Sequence, residues 1–338
     1  MPVLVIDKPQ GLTSFAVVKA VARHVRTYRK AGGQGMPDPS RVGHGGTLDP
    51  MATGVLPVCI GESTKLAPFL LDAHKAYEGT VTLGVQTDTL DAEGQVVAEA
   101  PVPPLSLDDI EAVLQRFRGA ITQVPPMHSA LKRDGKPLYA YARQGQELER
   151  EARALTIFEL RLIDYEGGKL RLFARCSKGT YIRVLAADIG LALGPGGHLS
   201  ALRRTASGPF SLAQAITLDD LAARAEQGAP LPGVGLTESL AHMASVTLTP
   251  HQAHRVGMGQ KLPWADLDPE GAHPQDLLCL LRPDGTLLAV AERNDAGLAS
   301  LRRVFLPETD APLSSSGRNS EGFGAIDAGN VHSPARDG

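Results

Sequence analysis

The sequence predicts strands and helices interleaved along the chain, as an α+β fold requires, and three patterns carry that reading. Phe15, Val18, Val21, Ala22 and Val25 recur at helical spacing behind Thr13 and Ser14, either of which can cap a helix. Tyr77, Gly79, Val81 and Leu83 alternate with Glu78, Thr80 and Thr82, the period of a strand. Leu155 to Tyr165 and Lys169 to Cys176 flank Glu166-Gly167-Gly168, a hairpin signal.

The other elements follow in order. Val3 to Ile6 reads as a short strand. Ala31 to Ser40 contains Gly32, Gly33, Gly35, Pro37 and Pro39, so it is expected to be a mobile loop that does not pack. Val55 to Ile60 is a buried strand and Glu62 to Leu71 a short helix. Asp88 to Gly94 turns the chain, and Asp108 to Phe117 is an amphipathic helix. Pro125-Pro126 breaks the chain before a helix at Tyr139 to Gln144. Tyr181 to Leu193 is helical and His198 to Ser207 a strand. A linker falls around Pro230 to Gly235. Val246 to Leu306 is then long enough only for a small β-rich module, with strands near Leu277 to Leu281 and Leu287 to Glu292. From Leu313 the chain is rich in Ser, Gly and Asn and is expected to be disordered.

At 338 residues the chain is expected to form about two domains. No apolar run reaches the ~18 residues of a membrane span, and the start lacks a basic leader with an apolar core, so a cytoplasmic protein is expected. Cys59, Cys176 and Cys279 are widely spaced and read as buried thiols rather than a disulfide or zinc framework. A net charge of −3 argues weakly against RNA, but the charge is uneven. Residues 1–50 carry seven basic side chains against three acids, and 169–204 carry seven against Asp188 alone. The five acids and two arginines from Glu308 onward account for the whole −3. Local positive patches on a near-neutral body suit phosphate binding, which depends on the local field; solvated faces are the plainer alternative.

The chemistry centres on Arg41 to Gly54, where Gly43, Gly45, Gly46 and Gly54 surround Asp49. Glycines there allow tight backbone paths and the close approach of a ligand. An aspartate in a turn usually serves its own backbone. Here it keeps other company: His44 lies five residues earlier, and Tyr77 and the Lys178 to Arg183 segment follow. A nucleophilic carboxylate must be ionised, which a nearby arginine favours, and an aromatic ring offers a nucleobase a face.

The run Gly43-His44-Gly45-Gly46-Thr47-Leu48-Asp49-Pro50-Met51-Ala52-Thr53-Gly54-Val55-Leu56 closely resembles the active-site motif of the TruB family, the bacterial tRNA pseudouridine-55 synthases. Five further segments agree in order: Asp7 to Ser14, Lys75 to Glu78, Pro125 to Lys132, Lys178 to Arg183, and His198 to Thr205. The resemblance covers roughly Val3 to Phe210 and continues less specifically to Leu306. It implies the pseudouridine synthase fold, a mixed and largely antiparallel sheet with flanking helices. Residues 1–241 would form that catalytic domain and 246–307 a small β-barrel-like, PUA-type RNA-binding domain, with a disordered tail over 308–338.

The same resemblance implies a cofactor-free and metal-free isomerisation of a uridine in the T arm of tRNA; a monomer is the default expectation. Asp49 would attack the nucleoside, at the base or at the sugar. Arg183 would pair with it, and Tyr77 would stack on the uracil and help remove a proton. Leu202 would close the apolar side of the pocket, and His44 would fill the space left by the flipped base. Tyr181 belongs to the same substrate-binding set. Lys8, Lys19 and Arg204 are expected phosphate contacts, and Asp91 is expected to help hold the flipped nucleotide. Two other classes compete. One is a non-catalytic tRNA-binding module. The other is a magnesium nuclease built on Asp72, Asp88, Asp91 and Glu93.

Overall fold

Strands β1 (Val3–Lys8), β2 (Val42–His44), β3 (Thr53–Ile60) and β4 (Lys75–Leu83) open the chain. A hairpin of β5 (Val85–Thr87) and β6 (Val96–Glu99) follows, then β7 (Gly119–Gln123) and a small hairpin of β8 (Lys132–Arg133) and β9 (Lys136–Pro137). Next come β10 (Arg153–Glu166), β11 (Lys169–Cys176), β12 (Gly197–Ser207), β13 (Phe210–Ser211) and β14 (Gly233–Val234). The chain closes with β15 (Ser245–Thr247), β16 (Leu277–Leu281), β17 (Leu287–Arg293) and β18 (Ala299–Val304). The helices that matter below are α1 (Ser14–Lys30), α2 (Ala67–Asp72), α3 (Leu107–Gln115), α4 (Leu138–Ala142), α5 (Ile182–Leu193), α6 (Leu218–Gln227), α7 (Leu236–Ser239) and α8 (Pro250–Gly257). This computed structural model describes residues 2–129, 131–142, 144–268 and 277–305; the tail expected to be disordered lies outside the described residues.

Ten strands form one sheet in the order β14-β1-β3-β12-β4-β11-β10-β7, with β13 beside β12 and β2 beside β3. Every pairing in it is antiparallel except β3 with β12, where Thr53 faces Arg203 and Gly54 faces Arg204. The mixed, largely antiparallel sheet is therefore as expected, and its single parallel pairing lies at the end of the Asp49 loop.

The two faces of β1 and β3 are both buried, which explains their nearly continuous apolar runs. Leu4, Ile6, Leu56, Val58 and Ile60 pack under α1 and α6. Val3, Val5, Val55 and Cys59 point the other way, into a cluster that includes Cys279, Leu287, Val290 and Phe305 from the C-terminal strands. A third cluster lies between β4, β10 and β11 and helices α3 and α5, and Tyr77 sits in it. The C-terminal strands form an open sheet, β15-β16-β17-β18, that packs with α8. Among the described residues this module is not a closed barrel.

One expectation fails. The glycine- and proline-rich stretch after α1 packs: Met36 is 7% exposed, and Tyr28 Oη donates to Gln34 O at 2.8 Å. Arg29 donates to Met36 O at 2.7 Å and Arg26 to Pro39 O at 3.4 Å. The helix supplies the partners that the breaker residues do not make for themselves.

Candidate active site

Between His44 at the end of β2 and Thr53 at the start of β3 the chain loops out, and Asp49 lies on this loop. Backbone bonds close it at both ends: Gly45 N–H to Pro57 O at 2.8 Å and Gly11 N–H to Pro50 O at 2.8 Å. The buried Ser14 hydroxyl accepts from Leu48 N–H at 2.8 Å and donates to Leu48 O at 3.1 Å. Only glycine suits position 54, since φ is +99° and a Cβ would stand 2.2 Å from the Arg204 carbonyl oxygen.

Two cations support the loop from beneath. Arg204 is 1% exposed; its Nε donates to Val55 O at 2.7 Å, Nη1 to Thr47 O at 3.2 Å and Nη2 to Gly46 O at 3.1 Å. Lys8 is fully buried, and its ammonium donates to Pro9 O at 2.9 Å and Pro50 O at 3.1 Å. Neither side chain reaches solvent, so the expected phosphate contacts of Lys8 and Arg204 are corrected: both charges are satisfied by carbonyls of the loop and its neighbours. A third cation missed in the sequence, Lys75, caps the end of α2 by donating to Leu70 O, Leu71 O and Ala73 O at 3.2, 2.6 and 2.6 Å.

Asp49 keeps its side chain 39% exposed. Arg183, in the first turn of α5, places Nη1 3.4 Å from Asp49 Oδ2 and 3.0 Å from Asp91 Oδ2. Its Nη2 donates to His128 O, while its buried Nε has no partner among the described residues. Arg183 thus lies beside Asp49, but its closer tie is to Asp91. Asp91 is 1% exposed, and its other oxygen accepts from Thr89 Oγ1 at 2.6 Å and Glu93 N–H at 3.1 Å. The expected contact of Asp91 with a nucleotide is therefore corrected too, because the carboxylate is buried and already held by an arginine, a hydroxyl and an amide.

The electrostatics follow from this sharing. Burial pushes the Asp49 carboxyl above its ordinary range, opposed by Arg183 and Lys8 and reinforced by Asp91. Burial also draws the Lys8 ammonium down to about 8, against the pull of Glu93 and Asp49. Tyr77 stands opposite Arg204 across the β4–β12 pairing and is 9% exposed. Burial raises its phenol, which the Arg204 charge and hydrogen bond partly offset, so it is neutral near pH 7. His44 is half-buried and its Nδ1 accepts from Gly46 N–H at 3.4 Å. Burial, then Arg204, lower its pKa, and the ring is uncharged at neutral pH.

The remaining expected residues fall around this centre. Leu202 pairs with Gly79 on β4 and is half-buried against the cluster that holds Tyr77. Tyr181 caps α5, held by backbone bonds to the Gln123 side chain at 3.1 and 3.3 Å, with the Arg183 guanidinium 5.8 Å from its ring. Lys19 is exposed on α1, over the ring of Phe15. Among the described residues the acids of the nuclease reading do not gather into a group able to hold a metal, although Glu93 lies beside Asp91. Asp72 pairs with Lys178 at 2.8 Å, Asp88 accepts from Gln95 N–H at 2.8 Å, and Asp91 is filled by Arg183.

A pseudouridylate synthase is the class that this sheet and loop define. The family model described as TruB family pseudouridylate synthase (N terminal domain) matches residues 34–182. The tRNA pseudouridylate synthase B C-terminal domain matches 183–231. The tRNA pseudouridine synthase B of Azoarcus sp. (strain BH72) is 49% identical over 264 residues, covering 77% of this chain and 82% of that one. The tRNA pseudouridine synthase B of Cupriavidus pinatubonensis (strain JMP 134 / LMG 1197) is 44% identical over 311 residues, covering 90% and 94%. Among solved structures, one described as "Crystal Structure of a Cbf5-Nop10-Gar1 Complex" superposes with a TM-score of 0.67 at 26% identity, over 90% of this chain and 85% of that one. This chain belongs to the TruB family.

Proposed function

We propose that this chain converts the uridine at position 55 in the T loop of tRNA into pseudouridine, with Asp49 as nucleophile. The observation that carries the reading is the Asp49 carboxylate: accessible, on a loop clamped from below, and 3.4 Å from a buried arginine. In the reaction the C1′–N1 bond breaks, the uracil turns in place and a C1′–C5 bond forms. C5 loses a proton and N1 gains one, so no electrons enter or leave, and neither a metal nor an organic cofactor is required.

A base inside a folded loop must leave its stack to meet Asp49. The uncharged His44 ring fills the gap it leaves, Tyr77 stacks on the uracil and takes part in removing the C5 proton, and Leu202 closes the apolar side. Tyr181 borders the pocket beside Arg183, and Lys19 meets phosphate. Asp91 and Lys8 act one step back, the first aiming Arg183 and the second fixing Pro50. The T arm is recognised chiefly by shape, as folded RNA usually is. Residues 1–241 carry the chemistry and 246–307 add an RNA-binding module, in a monomer working in the cytoplasm. No helix among the described residues is long and apolar enough to cross a membrane.

The test is to incubate the purified protein with unmodified T-arm RNA in EDTA and map pseudouridine by chemical labelling. Modification at the single T-loop position, in intact RNA, is the expected result. Cleaved RNA or chelator-sensitive activity would overturn the reading.

A further inference from the structure

Apart from Lys19, the solvent face of helix α1 has no part in the chemistry above. At 100° per residue, Phe15, Lys19, Arg23, Arg26 and Lys30 fall within an arc of about 80°. All five are exposed, and α1 contains no acid. Phe15 is 63% exposed and Leu12, just before the helix, 36%. Lys19 Nζ lies 4.6 Å from the Phe15 ring centroid. The Lys19 ammonium over the Phe15 ring is itself a cation–π contact, and an exposed aromatic ring beside cations is also the combination that takes a base and its phosphate.

The position of this face is what gives it meaning. Gly11 bonds to Pro50 and Ser14 to Leu48, the two residues that flank Asp49. The exposed patch is thus fastened to both sides of the nucleophile. Lys19, Arg23 and Lys30 have no carboxylate partner among the described residues, whereas Arg26 is partly engaged by Pro39 O. Asp219 and Glu226 of α6 act on His24, whose Nε2 lies 3.4 Å from Arg23 Nη2. From Phe15 to Lys30 the helix runs about 22 Å, the reach of several nucleotides of one strand.

We propose that this face of α1 is an RNA-docking surface. Phe15 stacks on an unpaired base next to the flipped uridine, and Lys19, Arg23 and Lys30 follow the phosphates of the adjoining strand. The assignment rests on the T-arm reading above, and its occupant is the same RNA, because the face is cationic and aromatic and begins at the catalytic loop.

The test measures binding of a fluorescent T-arm hairpin by full-length protein carrying Asp49→Asn, as a function of salt. Phe15→Ala is expected to weaken binding about tenfold, as loss of one base stack does, and Phe15→Tyr to restore it. Lys19→Glu with Arg23→Glu is expected to flatten the slope of log affinity against log salt by about 2. Unchanged affinity and slope in variants with native melting curves would overturn the proposal, and this face would then serve another occupant or none. Failure of the reaction itself is read separately, as absence of pseudouridine from the unsubstituted protein.

Discussion

Asp49 shares a single guanidinium with Asp91, and under the proposed mechanism burial and this sharing together set the pH at which it can work. Arg183 is divided between the two carboxylates at 3.4 and 3.0 Å, so it offsets but does not cancel the effect of burial on Asp49. A nucleophilic carboxylate must be ionised. The single-turnover rate should therefore climb with pH through an acid limb whose midpoint lies above the ordinary aspartate value of about 3.9. Arg183→Met should move that midpoint further up as well as slowing the reaction. A limb at or below the ordinary value, measured by rapid quench, would show that Asp49 is not held as described. The same shift has a consequence for stability. A carboxyl whose folded pKa is raised costs stability above that pKa and nothing below the unfolded value. Asp49→Asn should thus melt no lower than the unsubstituted protein at pH 7, and the two should converge in acid.

Strand β12 shows where the sequence was informative and where it was not. The glycine-framed Asp49, the alternation of β4 and the hairpin of β10 and β11 were all legible, because local periods and turn residues mark them. Arg204 was not. Bulges between Leu199 and Ala201 and between Arg204 and Ala206 shift the alternation of β12 against β4. Counting by twos along Leu199 to Ser207 would misassign faces, so nothing local marks as buried the arginine that is expected to meet phosphate. The packed stretch after α1 was missed for a related reason: its partners, Arg26, Arg29 and Tyr28, lie in the helix rather than in the stretch. Asp91 was misread because nothing local announces that Arg183, distant in the chain, fills it. The element-scale prediction follows from Arg204. Arg204→Met leaves three carbonyls, two on the loop and one on β3, without their donor and should cost about 3 kcal/mol, read by urea unfolding. Arg204→Lys, with one donor centre, should not fully restore stability. A loss within ~0.5 kcal/mol, the usual range for surface substitutions, would contradict the clamp.

Across the whole molecule, a net charge of −3 conceals an arrangement suited to RNA. Lys8 and Arg204 are buried against carbonyls of the Asp49 loop and its surroundings and Arg183 against carboxylates, while exposed cations line α1 beside the loop. The sheet brings the parts of the site from distant stretches of chain: the loop before β3, Tyr77 on β4, Arg183 on α5 and Leu202 on β12. The C-terminal strands share a core with β1 and β3 through Cys279, Leu287, Val290 and Phe305. The small module therefore supports β1 and β3, the second of which begins where the Asp49 loop ends. That sharing was not legible, because Val3 and Val5 look like any buried strand until their partners are placed.

The central claim is tested most directly by Asp49→Asn assayed for both binding and product on unmodified T-arm RNA. The account predicts that the variant binds the RNA within a fewfold of the unsubstituted protein and forms no detectable pseudouridine. A variant that still turns uridine into pseudouridine would contradict it.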